Sequence, residues 1–418
     1  MKKKYIYSLL ASMLLISQAS FSQGVPMPDT VELDEIILSL PFNQDRGKSV
    51  IKVNKINLNS VNPILKSYIS KSISKLPGIS LITTGPGIAK PSIRGLSASR
   101  VIIYNQGVRL ENHQWGDEHG VGVSTSGISS IELIKGPAYV LYGSDAMGGV
   151  LYIEPERYSS DFSVDYMGIY DSNYSGITNN LGLKGSSGDF SYVLRGNMTD
   201  NQNFSTPDGE VENTWLKEYD FQGGLKYQSE KYSSDLRLSV NISELGIPEG
   251  EEGHDDHDDH EGHDDHEGHE GHYQELSHTM LTWKNNFDLG NNHDLEITLG
   301  RQFNERKEFG GHGEEEGHDG HDDHDDHEGH DDHGHGGSGA ELDMELATNT
   351  IDVSLTMPQS DNFNMILGTN ILSQENKNFG FEELIPDADM NDFGVYGLGQ
   401  IKMKNGSALI GLRYDSRN

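Results

Sequence analysis

Histidine recurs every third residue at His254, His257, His260, His263, His266, His269 and His272. A second tract carries His312, His318, His321, His324, His327, His330, His333 and His335. Together the tracts hold 15 of the chain's 19 histidines, and Glu251 to His272 and His312 to His335 each contain eleven acidic residues and no Lys or Arg. Neutral imidazole beside carboxylate suits zinc, copper(II) and nickel. The chain has no cysteine, which excludes thiolate metal sites and any disulfide framework. A three-residue step sends successive rings to opposite faces of a strand, and Gly253, Gly262, Gly268 and Gly271 oppose a helix. The tracts therefore read as loops whose many equivalent ligand sets bind ions weakly and exchangeably. Their negative charge would concentrate cations and speed capture. A solvated acidic loop and a pH-sensing histidine cluster are the alternatives.

A second candidate set lies in Glu111-Asn112-His113-Gln114-Trp115-Gly116-Asp117-Glu118-His119-Gly120. His113, Asp117, Glu118 and His119 supply nitrogen and oxygen donors, and a zinc site needs three or four of these converging at ~2.0–2.2 Å. The alternative is a polar loop that only hydrogen-bonds.

These ligands need elements to position them. Lys2, Lys3 and Lys4 precede an apolar run, Ile6 to Ile16, and then Ser20-Phe21-Ser22. This pattern predicts a cleaved signal peptide over 1–22, with export across the inner membrane. The run is shorter than the ~20 residues a spanning helix needs, which disfavours a membrane anchor. The chain is 34% hydrophobic with a formal charge of −35, and no long apolar run follows. No nucleic acid is expected as a partner of so acidic a chain.

Residues 161–418 alternate with period two. Leu236, Leu238, Val240 and Ile242 alternate with Arg237, Ser239 and Asn241, and Ile351, Val353, Leu355 and Met357 with Asp352, Ser354 and Thr356. Phe190, Tyr192, Leu194 and Met198, and Leu295, Ile297 and Leu299, follow the same rule. On a strand this puts apolar groups on one face and polar groups on the other. Short turns are expected at Gly185–Gly188, Ser229–Tyr232, Gly290–His293, Pro358–Asp361 and Lys404–Gly406, and long loops at Asn201–Lys217, Glu244–Glu275, Glu305–Asp343 and Gln374–Asp389. Short and long connections in alternation predict a transmembrane antiparallel β-barrel of about eleven strands, apolar face to outer-membrane lipid, rather than a soluble sandwich. An odd, open strand set leaves edges that lipid does not tolerate, so 161–418 is expected to be the N-terminal part of a larger barrel. Strand parity sends the loops at 244–275 and 305–343, with both histidine tracts, to the same outer side.

Pro91-Ser92-Ile93-Arg94-Gly95, Arg100-Val101-Ile102-Ile103-Tyr104-Asn105-Gln106-Gly107-Val108 and the run from Ile131-Glu132-Leu133-Ile134-Lys135-Gly136-Pro137 through Leu141-Tyr142-Gly143 to Gly148-Gly149-Val150 together resemble the plug domain of TonB-dependent outer-membrane receptors. The resemblance covers about 55–155 and implies an α/β plug domain ahead of the barrel. By their own chemistry Arg94 and Glu132 are candidates for a charge pair buried between plug and barrel wall, with ordinary surface charges as the alternative. Residues 23–54 would then hold a linker and an energy-coupling box resembling Val31-Glu32-Leu33-Asp34-Glu35-Ile36-Ile37-Leu38. Such a box lends a strand to the inner-membrane protein TonB; a plain linker is the alternative. Zinc-uptake receptors of this family carry His-rich outer loops and an Asp/His pair on a plug apical loop, and by that resemblance Asp117, Glu118 and His119 match best, with His113 beside them.

The resemblance implies a receptor of a Gram-negative outer membrane that imports zinc or a similar divalent ion. Zinc, copper or nickel would be bound as substrate, with no catalytic cofactor. No nucleophile–base constellation is present, and the glycines are not followed by the Gly-Lys-Ser/Thr of a phosphate loop, so no enzyme is expected. A receptor for a metal chelate (siderophore, haem or cobalamin) and a surface metal-binding protein without transport are the rival readings.

Overall fold

In a computed structural model, the structure describes residues 51–58, 61, 68–83, 87–112, 120–136, 139–207, 209–248, 272–310, 340–357, 362–380, 383–404 and 406–418. The expected signal peptide and the energy-coupling box, Val31 to Leu38, lie outside them.

The first part is a small α/β unit. It comprises β1 (Lys52–Asn57), α1 (Ile69–Ile73), β2 (Ile79–Thr83), β3 (Ala89–Ile93), β4 (Val101–Asn105), β5 (Val108–Leu110), β6 (Ile128–Lys135), α2 (Tyr139–Tyr142) and β7 (Gly149–Pro155). Five strands form one sheet in the order β1-β6-β7-β4-β5, with β4 and β7 parallel; β2 and β3 pair separately. The sheet is covered on both faces, so β4 reads as a near-continuous apolar run and β6 is buried along almost its whole length, with Ser129, Ser130 and Glu132 included. Ile103, Ile131, Leu133, Leu151 and Ile153 are wholly buried at its centre. Gly149 has φ 142°, and a Cβ there would stand 2.9 Å from the Ile134 carbonyl oxygen, so only glycine allows β7 to start against β6.

The second part is a strand wall. Its members are β8 (Ser163–Asp171), β9 (Gly176–Ser187), β10 (Phe190–Asn201), β13 (Leu216–Gln228), β14 (Tyr232–Gly246), β15 (Tyr273–Gly290), β16 (His293–Phe309), β17 (Leu342–Thr356), β18 (Phe363–Asn378), β19 (Ala388–Met403) and β20 (Gly406–Arg417). These eleven strands form one antiparallel meander with β8 and β20 at its edges. A small hairpin, β11 (Phe204–Thr206) with β12 (Gly209–Val211), interrupts it between β10 and β13, inside a segment expected to be plain loop. The strand ends that join β9–β10, β13–β14, β15–β16, β17–β18 and β19–β20 lie at one end of the wall, and those that join β8–β9, β10–β13, β14–β15, β16–β17 and β18–β19 at the other. The strands also run further into the expected loops than alternation alone indicated: β16 continues to Phe309, past the Glu305 where its loop was placed.

The two faces of the wall differ as a membrane demands. Leu236, Ile242, Leu281, Trp283, Ile351 and Ile371 are exposed on the outer face, while Asp220, Asn241, Thr298, Gln302 and Thr350 are buried on the inner one. At the short-turn end, neighbouring rings of Phe190, Tyr227, Tyr232 and Phe287 stand 5.1, 6.2 and 4.9 Å apart, an aromatic girdle at a lipid interface. A spanning strand needs only ~9–11 residues, whereas β15 has 18. The surplus projects at the long-loop end, where the outer face turns to Glu275, Glu305 and Glu345, with Lys307 and Lys377 paired to Glu305 and Glu375 at 2.9 and 2.8 Å. The fold is a transmembrane β-barrel wall, open among the described residues, with an α/β plug packed on its inner face. Val140, Leu141 and Tyr142 of the plug cluster with Ile366 and Leu398 of the wall, and Met280 joins the main plug core.

Candidate functional site

The stems of both histidine tracts meet the wall at the same end. Gly246 pairs with Tyr273, Tyr273 with Phe309, and Glu308 with Leu342, so β14 to β17 finish side by side at the projecting rim. His272 is the single tract histidine among the described residues. It is half-buried, and its carbonyl oxygen accepts a hydrogen bond from the Ile247 amide at 2.8 Å. His254, His257, His260, His263, His266 and His269 lie outside the described residues, as do His312, His318, His321, His324, His327, His330, His333 and His335. Below the stems, Tyr273 and Phe309 stack at 4.6 Å with Trp215 tilted beside them at 6.3 Å.

His113, Asp117, Glu118 and His119 likewise lie outside the described residues, but the chain on either side of them is placed. Asn112 is buried. Gly120 lies so close to the β3 entry that a Cβ on it would stand 3.0 Å from the Gly87 carbonyl oxygen. A Cβ on Gly87 would in turn meet Leu216 at 3.3 Å and Leu245 at 3.6 Å, and Leu245 directly precedes the last residue of β14. Gly120, where the described chain resumes after 113–119, therefore lies at the level of the rim that bears the stem of the first tract.

Among the described residues no three His, Asp or Glu side chains converge as a metal-ligand set. What lies beneath the rim is a polar layer that sequence reasoning did not single out. Asn241 Nδ2 donates to Asp220 Oδ1 at 2.6 Å and to Glu218 Oε2 at 3.3 Å, and Asn197 Nδ2 donates to Asp220 Oδ2 at 2.9 Å. His278, opposite Asn241 in the β14–β15 register, is buried with its Nε2 unpartnered. The available signal was parity: Asp220 sits between the outward rings of Tyr219 and Phe221 and so must face the lumen.

Charge pairs fasten the plug internally and to the wall. Glu132 is fully buried and its partner is Lys55, at 3.1 Å. This corrects the pairing expected with Arg94, which is exposed at φ 55° in the turn after β3; the β1–β6 register sets Lys55 opposite Glu132. Burial and the neighbouring Glu132 push the Glu154 carboxyl up to about 7, against the pull of Lys284 and Lys55. Burial also works against the charge of Asp145, but Arg109 at 2.9 Å and Arg417 at 2.7 Å prevail and hold its carboxyl below the usual range. Arg417 lies on β20 and also pairs with Asp392 of β19 at 2.7 Å, so plug and wall share one ionic chain.

Residues 50–150 match the family described as TonB-dependent Receptor Plug Domain. The vitamin B12 transporter BtuB of Photobacterium profundum is 29% identical over 154 residues, which are 37% of this chain and 25% of that protein. BtuB of Vibrio vulnificus (strain CMCP6) is 28% identical over 174 residues, 40% of this chain and 27% of that protein. The chain thus aligns with about a quarter of the length of these curated relatives. Among solved structures, the FrpB iron transporter from Neisseria meningitidis superposes with a TM-score of 0.67 at 13% identity, over 88% of this chain and 58% of that one. The copper transporter OprC gives 0.64 at 13% identity over 87% and 55%, and the siderophore receptor PirA from Pseudomonas aeruginosa 0.59 at 15% over 87% and 56%; at such identities the likeness is one of fold. Residues 50–150 are thus a TonB-dependent receptor plug domain, packed on a meander of strands laid out as in those receptors.

Proposed function

We propose that the protein is an outer-membrane importer of a divalent transition-metal ion, zinc foremost, driven by TonB. The observation that supports the reading is the shared end: the stems of both His/Asp tracts, and Gly120 next to the plug segment 113–119, lie at one projecting rim. Imidazoles and carboxylates at the rim capture the ion from outside. The ion then passes to His113, Asp117, Glu118 and His119 at the top of the plug. TonB pairs with the strand Val31 to Leu38 and pulls, rearranging the plug so that the ion descends past the polar inner face of the wall. The process breaks no bond in the substrate, so the protein acts as a carrier and not as an enzyme.

A chelate receptor is the second reading. It is favoured by the relatives, whose names are those of vitamin B12 transporters and a siderophore receptor. Free-ion capture is preferred because bare imidazole and carboxylate donors can complete an ion's own coordination shell, which a finished chelate already has.

The test pairs calorimetric titration of the full-length receptor with zinc, copper, nickel and haem, and uptake of labelled zinc by cells with and without TonB. Zinc binding weakened at least tenfold by Asp117→Ala with His119→Ala, and uptake that requires TonB, is the expected outcome. Binding of haem alone would replace the ion reading with the chelate one. Equal uptake with and without TonB would leave a surface metal buffer.

A further inference from the structure

The plug meets the wall in two unlike ways. Toward β18 and β19 the contact is apolar and closely filled, through Val140, Leu141 and Tyr142 against Ile366 and Leu398. Toward β8, β9 and β10 it is hollow. A cavity of about 350 Å³ separates the plug turn Ser124 to Gly127 from the inner face of these strands. Two other cavities along the plug surface hold about 40 and 50 Å³. A single water needs roughly 10–15 Å³ of such space, so the large cavity has room for a divalent ion with its six waters, whereas the small ones hold only a few waters.

The cavity also has a direction. Register places Thr178, Thr199 and Glu218 in one row across β9, β10 and β13 on the rim side, then Asn180 and Asn197, then Arg195, and Lys184 nearest the short-turn end. Along this line the lining changes from hydroxyl, amide and carboxylate groups to a fixed, charge-balanced cluster of Arg195 and Lys184 with Glu156 and Asp165. Arg195 grips Glu156 with two parallel bonds, Nε to Oε2 at 2.7 Å and Nη2 to Oε1 at 2.8 Å. It reaches Asp165 as well, at 2.8 and 3.0 Å, and Lys184 binds the same Glu156 at 2.7 Å. Glu156 directly follows β7, and its amide donates to the Gly127 carbonyl oxygen at 2.6 Å. The carboxylate that holds Arg195 across the passage is therefore attached to the plug.

We propose that this cavity is a preformed ion conduit between plug and wall, and that the Arg195–Glu156 pair is the bolt that closes its short-turn end. A bidentate guanidinium–carboxylate pair resists opening, and with Lys184 and Asp165 beside it the cluster is charge-balanced, so the barrier is the closed pair itself. When the plug shifts, Glu156 moves with β7, Arg195 loses its bidentate partner and the passage opens. The proposal rests on the receptor reading of the fold and not on the identity of the transported ion.

The test is ion conductance of the full-length receptor in planar bilayers with potassium chloride, with no TonB or zinc present. The parent is expected to be silent. Arg195→Gln and Glu156→Gln, both near in size to the residues they replace, are each expected to raise the current at least tenfold. Adding Thr178→Trp to Arg195→Gln, which fills the cavity above the bolt, is expected to abolish that current. Folding is checked by the heat-modifiable gel mobility of the barrel. If both glutamine variants are folded yet silent, the pair is no bolt. If current persists after Thr178→Trp, the ions take another route. Either result overturns the proposal.

Discussion

Lys55 and Glu132 face each other across β1 and β6, 3.1 Å apart with both side chains buried. Removing one partner of such a pair strands a charge away from water and costs ~3–5 kcal/mol, whereas replacing both can be nearly neutral. Lys55→Met is thus expected to destabilise the plug by about that amount, and Lys55→Met with Glu132→Met to recover most of it, read as the denaturant midpoint for protease cleavage within the plug. A double variant as damaged as the single one would mean that packing, not charge, is at stake. Glu154 makes a second prediction. Its carboxyl is raised to about 7, so the fold favours the protonated form. That contribution is full below ~4.5 and is lost as pH rises through about 7, with a magnitude on the order of 3 kcal/mol. Hydrogen exchange of β7 amides should accelerate between pH 5 and pH 8 by more than the chemical exchange rate alone predicts. Glu154→Gln should remove that excess; an excess equal to the parent's would place the titrating group elsewhere. At this scale the sequence was a poor guide. It flagged Glu132 but offered Arg94 as partner, because only the register of β1 against β6 brings Lys55 opposite, and that register depends on strands far apart in the chain.

The strands were far more legible, since a wall with lipid on one side and a wet lumen on the other imposes period two on every residue. Leu236 to Ile242 and Ile351 to Leu355 alternated as the structure arranges them, and the order of short and long connections carried over to the two ends of the wall. Strand ends were not legible. Alternation weakens where β15 and β16 leave the lipid and both faces become polar, so their last turns of pairing read as loop. The β11–β12 hairpin was invisible for a similar reason, being three residues a side. The distinction between lipid-spanning and projecting parts of one strand is testable on β17. Ile351, 41% exposed on the outer face, lies within the apolar band, and Glu345 lies on the same face beyond it. Ile351→Arg should cost ~2–4 kcal/mol in urea unfolding from lipid vesicles, and Glu345→Arg less than ~1 kcal/mol. Equal costs would mean that the apolar band does not mark the membrane.

The charge of the whole molecule is unevenly distributed. The net value is −35, and the two tracts contribute eleven acidic residues each with no compensating Lys or Arg. Strand parity sufficed to put both on one side, but the docking of the plug was beyond local pattern. Which wall strands meet an apolar plug face and which a hollow one depends on inward residues such as Ile366 and Asn180, whose plug partners lie far away in the sequence. Because the eleven described strands pair with one another on either side of the tracts, deleting 251–271 and 312–335 is expected to leave a barrel that still folds and inserts. The same deletion should change how ions arrive. Fields from exposed charges reach ~30 Å at 10 mM ionic strength and only ~8 Å at 150 mM, and attraction of this kind acts chiefly on association rates. Stopped-flow zinc association with the intact receptor should therefore fall about tenfold or more across that range, while the deletion variant should start slow and stay nearly flat. Acid should act in the same direction as salt, because imidazole with a free value near ~6.5 must be neutral to ligate, so capture by the intact receptor should fall below pH ~6. A deletion variant that binds zinc at the parent's rate, with the parent's dependence on salt and acid, would place capture elsewhere and leave the tracts as solvated loops.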